Sequence, residues 1–382
     1  MTATWKETMG KVIEWRRHLH RYPELSFQEK ETSAFVFRHL SNMGWNVRTN
    51  VGGHGIVADL DGSRSGRRIA LRADMDALPI QDLKTVEYAS QVPGVMHACG
   101  HDGHTASLLG VAELLAADRD AWSGSVRLLF QPAEEMNPGG AKSMIRDGAL
   151  EGVDEIYGVH LWSQFPACHI YTTGGPLMAA ADEFTITVRG KGGHGGLPHQ
   201  AVDSIVVASH LVVNLQSVAS RNVDPIDSGV VSVGSFHGGT TFNVIAGECK
   251  LQGTVRTISP ETRTYLKNRI EEVLETTCRM FHAQSEMNYI WGYPPVINHQ
   301  AQADKALRLA KQVAPAEQVH VCKPLMAAED FAYYLERVPG CFMFVGAGSG
   351  NINSPHHHPM FDLEESALET SVKLLYELAV KS

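Results

Sequence analysis

The sequence predicts an α/β fold: a mainly parallel sheet covered by helices on both faces, interrupted by a smaller inserted domain. Three observations carry this. Short apolar runs of strand length alternate with helical stretches towards both ends of the chain; the middle has a strand and helix order of its own; and carboxylate or imidazole side chains follow several strands directly.

Helical spacing of apolar residues runs from Trp5 to about Leu40, broken at Arg21-Tyr-Pro-Glu24. Strand-like segments follow at Asn46–Arg48, Gly55–Leu60, Arg68–Arg72, Ser125–Phe130, Glu155–Val159 and, much later, Cys341–Val345. Helices are expected at His104–Asp118 and Gly140–Asp147. In the middle, Glu183–Arg189 reads as a strand, Ala201–Ala219 as an apolar helix, and Gly229–Phe236 and Cys249–Ile258 as strands. Ser259-Pro260 then caps a helix through His282 with the stripe Tyr265, Leu266, Ile270, Val273, Leu274, Cys278 and Phe281, and Ser285–Trp291 closes the set. The order βαββαβ is that of a ferredoxin-like domain, inserted because alternation resumes after Pro294-Pro295. The expected division is 1–182 with 294–382 for the first domain and 183–293 for the second. Gly174-Gly175 and Pro294-Pro295 are candidate hinges. An open sheet edge in the inserted domain makes a dimer plausible.

Composition narrows the function. With 382 residues and 43% hydrophobic residues the chain can bury ample core, yet no apolar stretch approaches a membrane span of ~18 residues. The opening residues lack the pattern of a secretion signal, so a soluble cytoplasmic protein is expected. A net charge of −9, from 33 basic and 42 acidic residues with no basic run, excludes nucleic acid as the favoured partner and points to small substrates. The cysteines at 99, 168, 249, 278, 322 and 341 are widely scattered, a pattern of reduced thiols; all but Cys99 read as packing residues.

The chemistry lies at the strand ends. Arg68–Arg72 leads into Ala73-Asp74-Met75-Asp76, Ser125–Phe130 into Gln131-Pro-Ala-Glu134-Glu135, and Glu155–Val159 into His160. In a parallel sheet these groups emerge on one rim, joined by Cys99 and His101 from a loop before a helix. The glycine-rich loop Gly346–Ser354 would bring His356, His357 and His358 to the same place. Thiolate, imidazole and carboxylate bind borderline-soft divalent metals, while a neighbouring free carboxylate can move the protons of a water. Glu134 and Glu135 suit that division, because adjacent side chains diverge on a non-helical segment. Gly100 lets Cys99 and His101 face one point. Asp102 has two open roles, accepting a ligand histidine's ring proton or capping the helix. Asp74 and Asp76 either cap a turn or fix a ligand histidine's tautomer. Blander readings stand beside these: a buried thiol at Cys99, a solvated Glu134-Glu135 pair, a core histidine at His160 and surface histidines among 356–358.

Seven motifs resemble those of the amidohydrolase branch of the dinuclear-metal aminoacylase and carboxypeptidase family, which includes hippurate hydrolases, N-acyl-L-amino acid amidohydrolases, auxin-conjugate hydrolases and N-acetyldiaminopimelate deacetylases. They are Arg16-Arg-His-Leu-His-Arg-Tyr-Pro-Glu24, Leu71-Arg-Ala-Asp-Met-Asp-Ala-Leu-Pro79, Met96-His-Ala-Cys-Gly-His-Asp-Gly-His104, Gln131-Pro-Ala-Glu-Glu135, Gly190-Lys-Gly-Gly-His194, Glu329-Asp-Phe331 and His357-His-Pro359, and they span essentially the whole chain. The resemblance implies a zinc-peptidase-like catalytic domain with an inserted lid and dimerisation domain. It implies Cys99, His101, Glu135, His160 and His357 as ligands of two divalent ions per subunit (Zn, Mn, Co or Ni), with Glu134 as general acid/base. His357 is preferred to His356 because the family pattern His-x-Pro-x-aromatic fits His357, Pro359 and Phe361. His194 and Asn243 would approach the partner subunit's active site, and Arg256 would hold the substrate carboxylate; Ala246 stands where relatives often carry proline.

The implied reaction is hydrolysis of an N-acyl amino acid, hippurate-like or N-acetylated, by metal-bound hydroxide with Glu134 as base. A homodimer, or a tetramer built from dimers, is implied, with no membrane partner. Competing readings are a dipeptidase or carboxypeptidase of the same family, a cysteine hydrolase with Cys99 as nucleophile and His101 or His104 as base, and a non-catalytic metal-binding dimer.

Overall fold

The computed structural model describes residues 3–350 and 354–381; Met1-Thr2 of the opening stretch and residues 351–353 of the predicted Gly346–Ser354 loop lie outside the described residues. The chain opens with α1 (Ala3–Arg21), α2 (Lys30–Asn42), β1 (Asn46–Val51), β2 (Gly55–Asp61), β3 (Arg68–Asp74), α3 (His101–Ala117), β4 (Ser125–Gln131), α4 (Gly140–Arg146), β5 (Glu155–Pro166), β6 (Ile170–Thr172) and β7 (Gly175–Met178). It continues with β8 (Ala180–Arg189), β9 (Gly193–His194), α5 (Ser204–Asn222), β10 (Gly229–Gly238), β11 (Val244–Ile245), β12 (Glu248–Thr257), α6 (Pro260–Met280) and β13 (Gln284–Tyr293). It ends with β14 (Val296–Asn298), α7 (Gln300–Val313), β15 (Val319–Val321), α8 (Ala332–Leu335), β16 (Gly340–Gly348) and α9 (Ser366–Val380).

Two compact units result. The first runs through Leu177 and again over Ile297–Lys323 and from Asp330 onward; the second covers Met178–Val296 and Pro324–Glu329. Pro324–Glu329 goes with the second unit, and the Ala179 N–H shows why: it donates to the carbonyls of Leu325 (3.0 Å) and Ala327 (2.9 Å).

In the first unit an eight-stranded sheet has the order β1-β2-β4-β3-β5-β16-β6-β15. Its centre, β4-β3-β5-β16, is parallel, and antiparallel pairs enter at β1-β2, β2-β4 and β16-β6. Alternation along the strands gives the sheet two buried faces. Ile69, Leu71, Val126, Leu128, Tyr157, Val159, Met343 and Val345 pack in one cluster with side chains of α1, α2, α3, α7 and α9. The opposite face carries Arg72 and Phe342, with the Phe331 ring 4.8 Å from that of Phe342.

Helix α3 is buried nearly all round, as befits a helix wedged between sheet and outer helices. It begins at His101 rather than His104, because Gly100 adopts the left-handed conformation (φ 93°) that turns the chain into the helix. One expected feature fails. Strand β5 does not stop before His160 but continues to Pro166, because β16 keeps pairing with it through His160↔Phe344 and on to Pro166↔Gly348. His160 is therefore a mid-strand residue. It still lies level with the end of β3, since Arg72 pairs with Gly158 two residues earlier, and Asp74 pairs with Gln131 on the other side.

The second unit has a four-stranded antiparallel sheet ordered β10-β12-β8-β13, the ferredoxin-like arrangement, with α5 and α6 packed on it. Helix α5 starts at Ser204, later than expected, because the Asp203 carboxylate caps it by accepting the N–H of Ile205 (2.9 Å) and Val206 (3.3 Å). In α6 the Ser259 hydroxyl accepts the Thr262 N–H (3.1 Å), and the buried stripe is Leu266, Ile270, Val273, Leu274, Thr277 and Cys278. Tyr265 lies off that stripe and is 44% exposed.

Candidate metal centre

Cys99 comes from the loop before α3, His101 from the first residue of α3, Glu134 and Glu135 from the loop after β4, His160 from the middle of β5 and His357 from the loop after β16. Their donor atoms converge. Those of Cys99, His101 and His160 lie within 4.8 Å of one another, as do those of Cys99, Glu135 and His357, and those of His101, Glu134 and Glu135. Cys99 belongs to the first two groups. Its Sγ is 3.5 Å from His160 Nε2, and the Glu135 carboxylate is 3.3 Å from His357 Nε2.

Local geometry accounts for this meeting. A Cβ at Gly103 would come within 2.6 Å of the Leu161 side chain, so glycine lets the first turn of α3 press against β5. His357 has a left-handed backbone (φ 64°), and its N–H donates to the Ala98 carbonyl at 2.8 Å, which ties the histidine loop to the cysteine loop.

Hydrogen bonds set the tautomers. His101 Nδ1 donates to Asp76, with its carbonyl at 2.9 Å and Oδ1 at 3.1 Å, and His160 Nδ1 donates to the Leu161 carbonyl at 3.0 Å. Both rings thus turn Nε2 towards Cys99 and Glu135, the nitrogen through which each imidazole would bind metal. His101 Nε2 is buried without a hydrogen-bond partner among the described residues. The charge balance agrees. Burial, then the charges of Glu135, Glu134 and Asp74, push the Cys99 thiol well above its usual range. Burial opposes charge on His101, but Asp74, Asp76 and Glu135 outweigh it and raise that imidazole to about 10, so the acidic surroundings hold on Nε2 a proton that a divalent cation would displace. His160 is held well below its ordinary value by burial and by the histidines around it. An acidic pocket with ligand-type atoms aimed inward fits divalent cations, which would offset the carboxylates, displace the His101 proton and draw out the thiolate.

Another triad, Asp74, His101 and His104, is close enough for a metal, but His104 has no nitrogen to give. Its Nδ1 donates to Asp74 Oδ1 (2.6 Å) and its Nε2 accepts the Leu161 N–H (2.8 Å). Asp74 thereby orients His104, whereas Asp76 orients the expected ligand His101. Asp102 takes neither of its expected roles. No side chain caps α3, and Asp102 Oδ2 instead accepts from Arg16 Nε (2.9 Å) and His20 Nδ1 (2.8 Å). The reason is topological: α1 packs beside α3 and drives a fully buried arginine into it, which needs a carboxylate partner.

Two further neighbours complete the surroundings: His356, to which His357 is preferred as a ligand, and Glu29, which no local pattern in the sequence singles out. His356 accepts the Ser163 N–H on Nε2 (3.3 Å), so its protonated Nδ1 faces Cys99 Sγ at 3.7 Å and offers no lone pair there. Glu29, far away in the chain, is fully buried and accepts the Ala133 N–H at 2.7 Å. Its place in the Arg16–Glu24 neighbourhood was the available signal. His358 is exposed and accepts the Met360 N–H.

The other expected site residues lie in the second unit. His194 on β9 pairs with Val244 on β11, beside Asn243, whose carbonyl accepts the Gly195 N–H at 2.8 Å. His194 Nδ1 accepts the Gly196 N–H (3.0 Å), which leaves the proton on an exposed Nε2. Arg256 on β12 is half-buried, bonds the Thr254 hydroxyl and the Val255 carbonyl, and makes no ion pair among the described residues.

The model of peptidase family M20/M25/M40 matches residues 70–381. An N-acyl-L-amino acid amidohydrolase from Geobacillus stearothermophilus is 47% identical over 77% of this chain and 79% of its own length. An N-acetyl-L-cysteine deacetylase from Bacillus subtilis is 43% identical over 96% of this chain and 87% of its own. Among solved structures, the YXEP protein of Bacillus subtilis, described as a dinuclear metal binding peptidase of the M20 family, superposes with a TM-score of 0.87 at 36% identity, covering 98% of both chains. The chain belongs to peptidase family M20/M25/M40 and is a hydrolase of amide bonds.

Proposed function

We propose that the chain is a metal-dependent amidohydrolase that splits N-acyl amino acids into a carboxylate and a free amino acid. The observation that carries the reading is the convergence of Cys99, His101, Glu135, His160 and His357 with ligand-type atoms aimed inward beside the buried carboxylate of Glu134. Two divalent ions fit this donor set, and when bound they would supply Lewis acidity and lower the pKa of a water towards neutrality.

The side chains do the rest. Glu134 takes the proton of the attacking water and returns it to the leaving amine nitrogen. His194 carries its proton on Nε2, the tautomer needed to donate to a developing oxyanion, and Asn243 adds a second polar group beside it. Arg256, which forms no ion pair among the described residues, takes the substrate carboxylate. The second unit serves as lid and dimerisation domain. Support for a homodimer comes from the edge position of β10 and from the exposed apolar side chains of Val206 (46%), Val213 (69%) and Phe242 (99%). All six cysteines are free, in keeping with a reducing cytoplasm.

A cysteine nucleophile is the weaker reading, because such thiols have lowered pKa values and that of Cys99 is raised. The test is Glu134→Ala on enzyme reconstituted with Zn, Mn, Co or Ni, assayed on N-acetyl, N-benzoyl and dipeptide substrates. Metal content should stay near that of the parent while kcat falls by about 10²–10⁴-fold. Substantial residual turnover would remove Glu134 from the mechanism, and preference for dipeptides would replace the N-acyl substrate class.

A further inference from the structure

Phe27 and Ala133 are far apart in the chain, yet both are non-glycine residues in the left-handed backbone region, with φ of 64° and 53°. A Cβ disfavours that region, so each must be held there. The same atom holds both. Glu29 Oε1 accepts the Phe27 N–H at 3.0 Å and the Ala133 N–H at 2.7 Å, and Glu29 is fully buried. A second tie runs in parallel: Ser26 donates to Asp76 Oδ2 (2.7 Å), the oxygen that also accepts the Glu135 N–H (3.0 Å). On its other side, the Ala133 carbonyl accepts the Gly140 N–H at 3.0 Å.

Ala133 is the residue immediately before Glu134 and Glu135. Its left-handed turn sets the direction in which both carboxylates leave the end of β4, and relaxing it to the ordinary right-handed or extended regions would swing them away from Cys99 and His101. We infer that Glu29 is a positioning residue: one oxygen of its carboxylate clasps the strained turn at Ala133 and so aims Glu134 and Glu135 into the metal centre. The inference rests on the proposed roles of those two glutamates.

The clasp predicts a specific rescue. Glycine adopts positive φ without the Cβ penalty, so Ala133→Gly should make the clasp nearly dispensable. In metal-reconstituted enzyme, Glu29→Ala should lower kcat by ten- to a hundredfold with KM changed less than threefold. It should also weaken metal affinity, read by chelator competition, because Glu135 is no longer aimed. Glu29→Asp, whose carboxylate stops one methylene short, should show the same defects in a milder form with less risk to folding. Glu29→Gln keeps an oxygen that accepts both N–H groups and should retain most activity and affinity. The double variants Glu29→Ala/Ala133→Gly and Glu29→Asp/Ala133→Gly should recover most of both losses, while Ala133→Gly alone stays near the parent.

If Glu29→Ala and Glu29→Asp keep kcat and metal affinity within twofold of the parent, or if Ala133→Gly recovers neither, the clasp is wrong. A role in stability alone would lower the melting temperature without the kcat loss, and glycine would not cure it. Metal affinity separates this outcome from failure of the proposed function: should Glu134→Ala remain active, the affinity loss and its glycine rescue still decide the clasp through Glu135.

Discussion

His101 shows how one residue divides its two nitrogens. Nδ1 is committed to Asp76, and that commitment is what leaves Nε2 as the nitrogen aimed into the pocket. Asp76→Ala should therefore weaken metal binding by roughly 10–100-fold, measured by competition with a chromogenic chelator; an unchanged affinity would show that ring orientation is set elsewhere. For Arg256 the proposed partner is the substrate. Burial lowers its pKa only from an already high value, so the guanidinium stays charged, and no protein carboxylate pairs with it among the described residues. Arg256→Met should raise KM for N-acyl amino acids and leave the corresponding amides nearly unaffected. An equal effect on both would mean the residue acts through packing.

Whole elements are fastened by buried charge. Arg16 on α1 is fully buried and reaches Asp102 at the start of α3 (2.9 Å) and Asp362 after the histidine loop (2.6 Å), so one guanidinium braces two segments that carry expected ligands. Away from the site, Glu155 at the start of β5 bonds Arg67 (2.6 Å), Lys305 on α7 (2.6 Å) and Tyr157 (2.8 Å). Burial pushes the Glu155 carboxyl up, but the bonds from Lys305, Tyr157 and Gln302 outweigh it and hold the pKa below the ordinary glutamate value. A carboxylate depressed in the folded state contributes stability that is complete above its unfolded pKa of about 4.3 and is lost as pH falls through the folded value. Glu155→Gln should thus lower the melting temperature at pH 7, and the gap to the parent should shrink below about pH 4. Both melts are taken in chelator so that metal release does not contribute. A gap independent of pH would assign the loss to hydrogen bonding rather than to charge.

Such braces also mark what the sequence could and could not disclose. Period and punctuation exposed the long strands, the βαββαβ order and the Ser259 cap, because those signals are local. The very short strands β6, β7, β9, β11, β14 and β15 are too brief to carry a period and went unread. Cys99, His101, Glu135 and His160 were legible as ligand types beside strands, whereas the partner of Asp102 was not. Arg16 lies 86 residues earlier, and nothing near Asp102 announces it. His160 was misplaced at a strand end because the continuation of β5 is stabilised by β16, a partner drawn from the other end of the chain.

At the scale of the whole molecule, the proposed role of His194 predicts which chain's metal centre it would serve. The metal-centre residues belong to the first unit and His194 to the second, and the proposed dimer would pair the second unit of one chain with the centre of its partner. Complementation decides this. Glu134→Ala kills the centre of its own chain but leaves His194 intact, whereas His194→Ala leaves the centre intact and removes the donor. If His194 acts across the dimer, a mixed dimer holds one complete site, made of the intact centre of the His194→Ala chain and the His194 of its Glu134→Ala partner. Chains unfolded and refolded together in equal amounts should pair at random, half of the dimers being mixed, so activity should return to about a quarter of the parent's. If His194 acts within its own chain, no combination contains a complete site and the mixture stays as inactive as its components. The same mixture, combined without refolding, reports the dimer's exchange rate through the time course of recovery. Sedimentation of each variant must show the parent's oligomeric state; a monomer would remove the cross-chain arrangement outright.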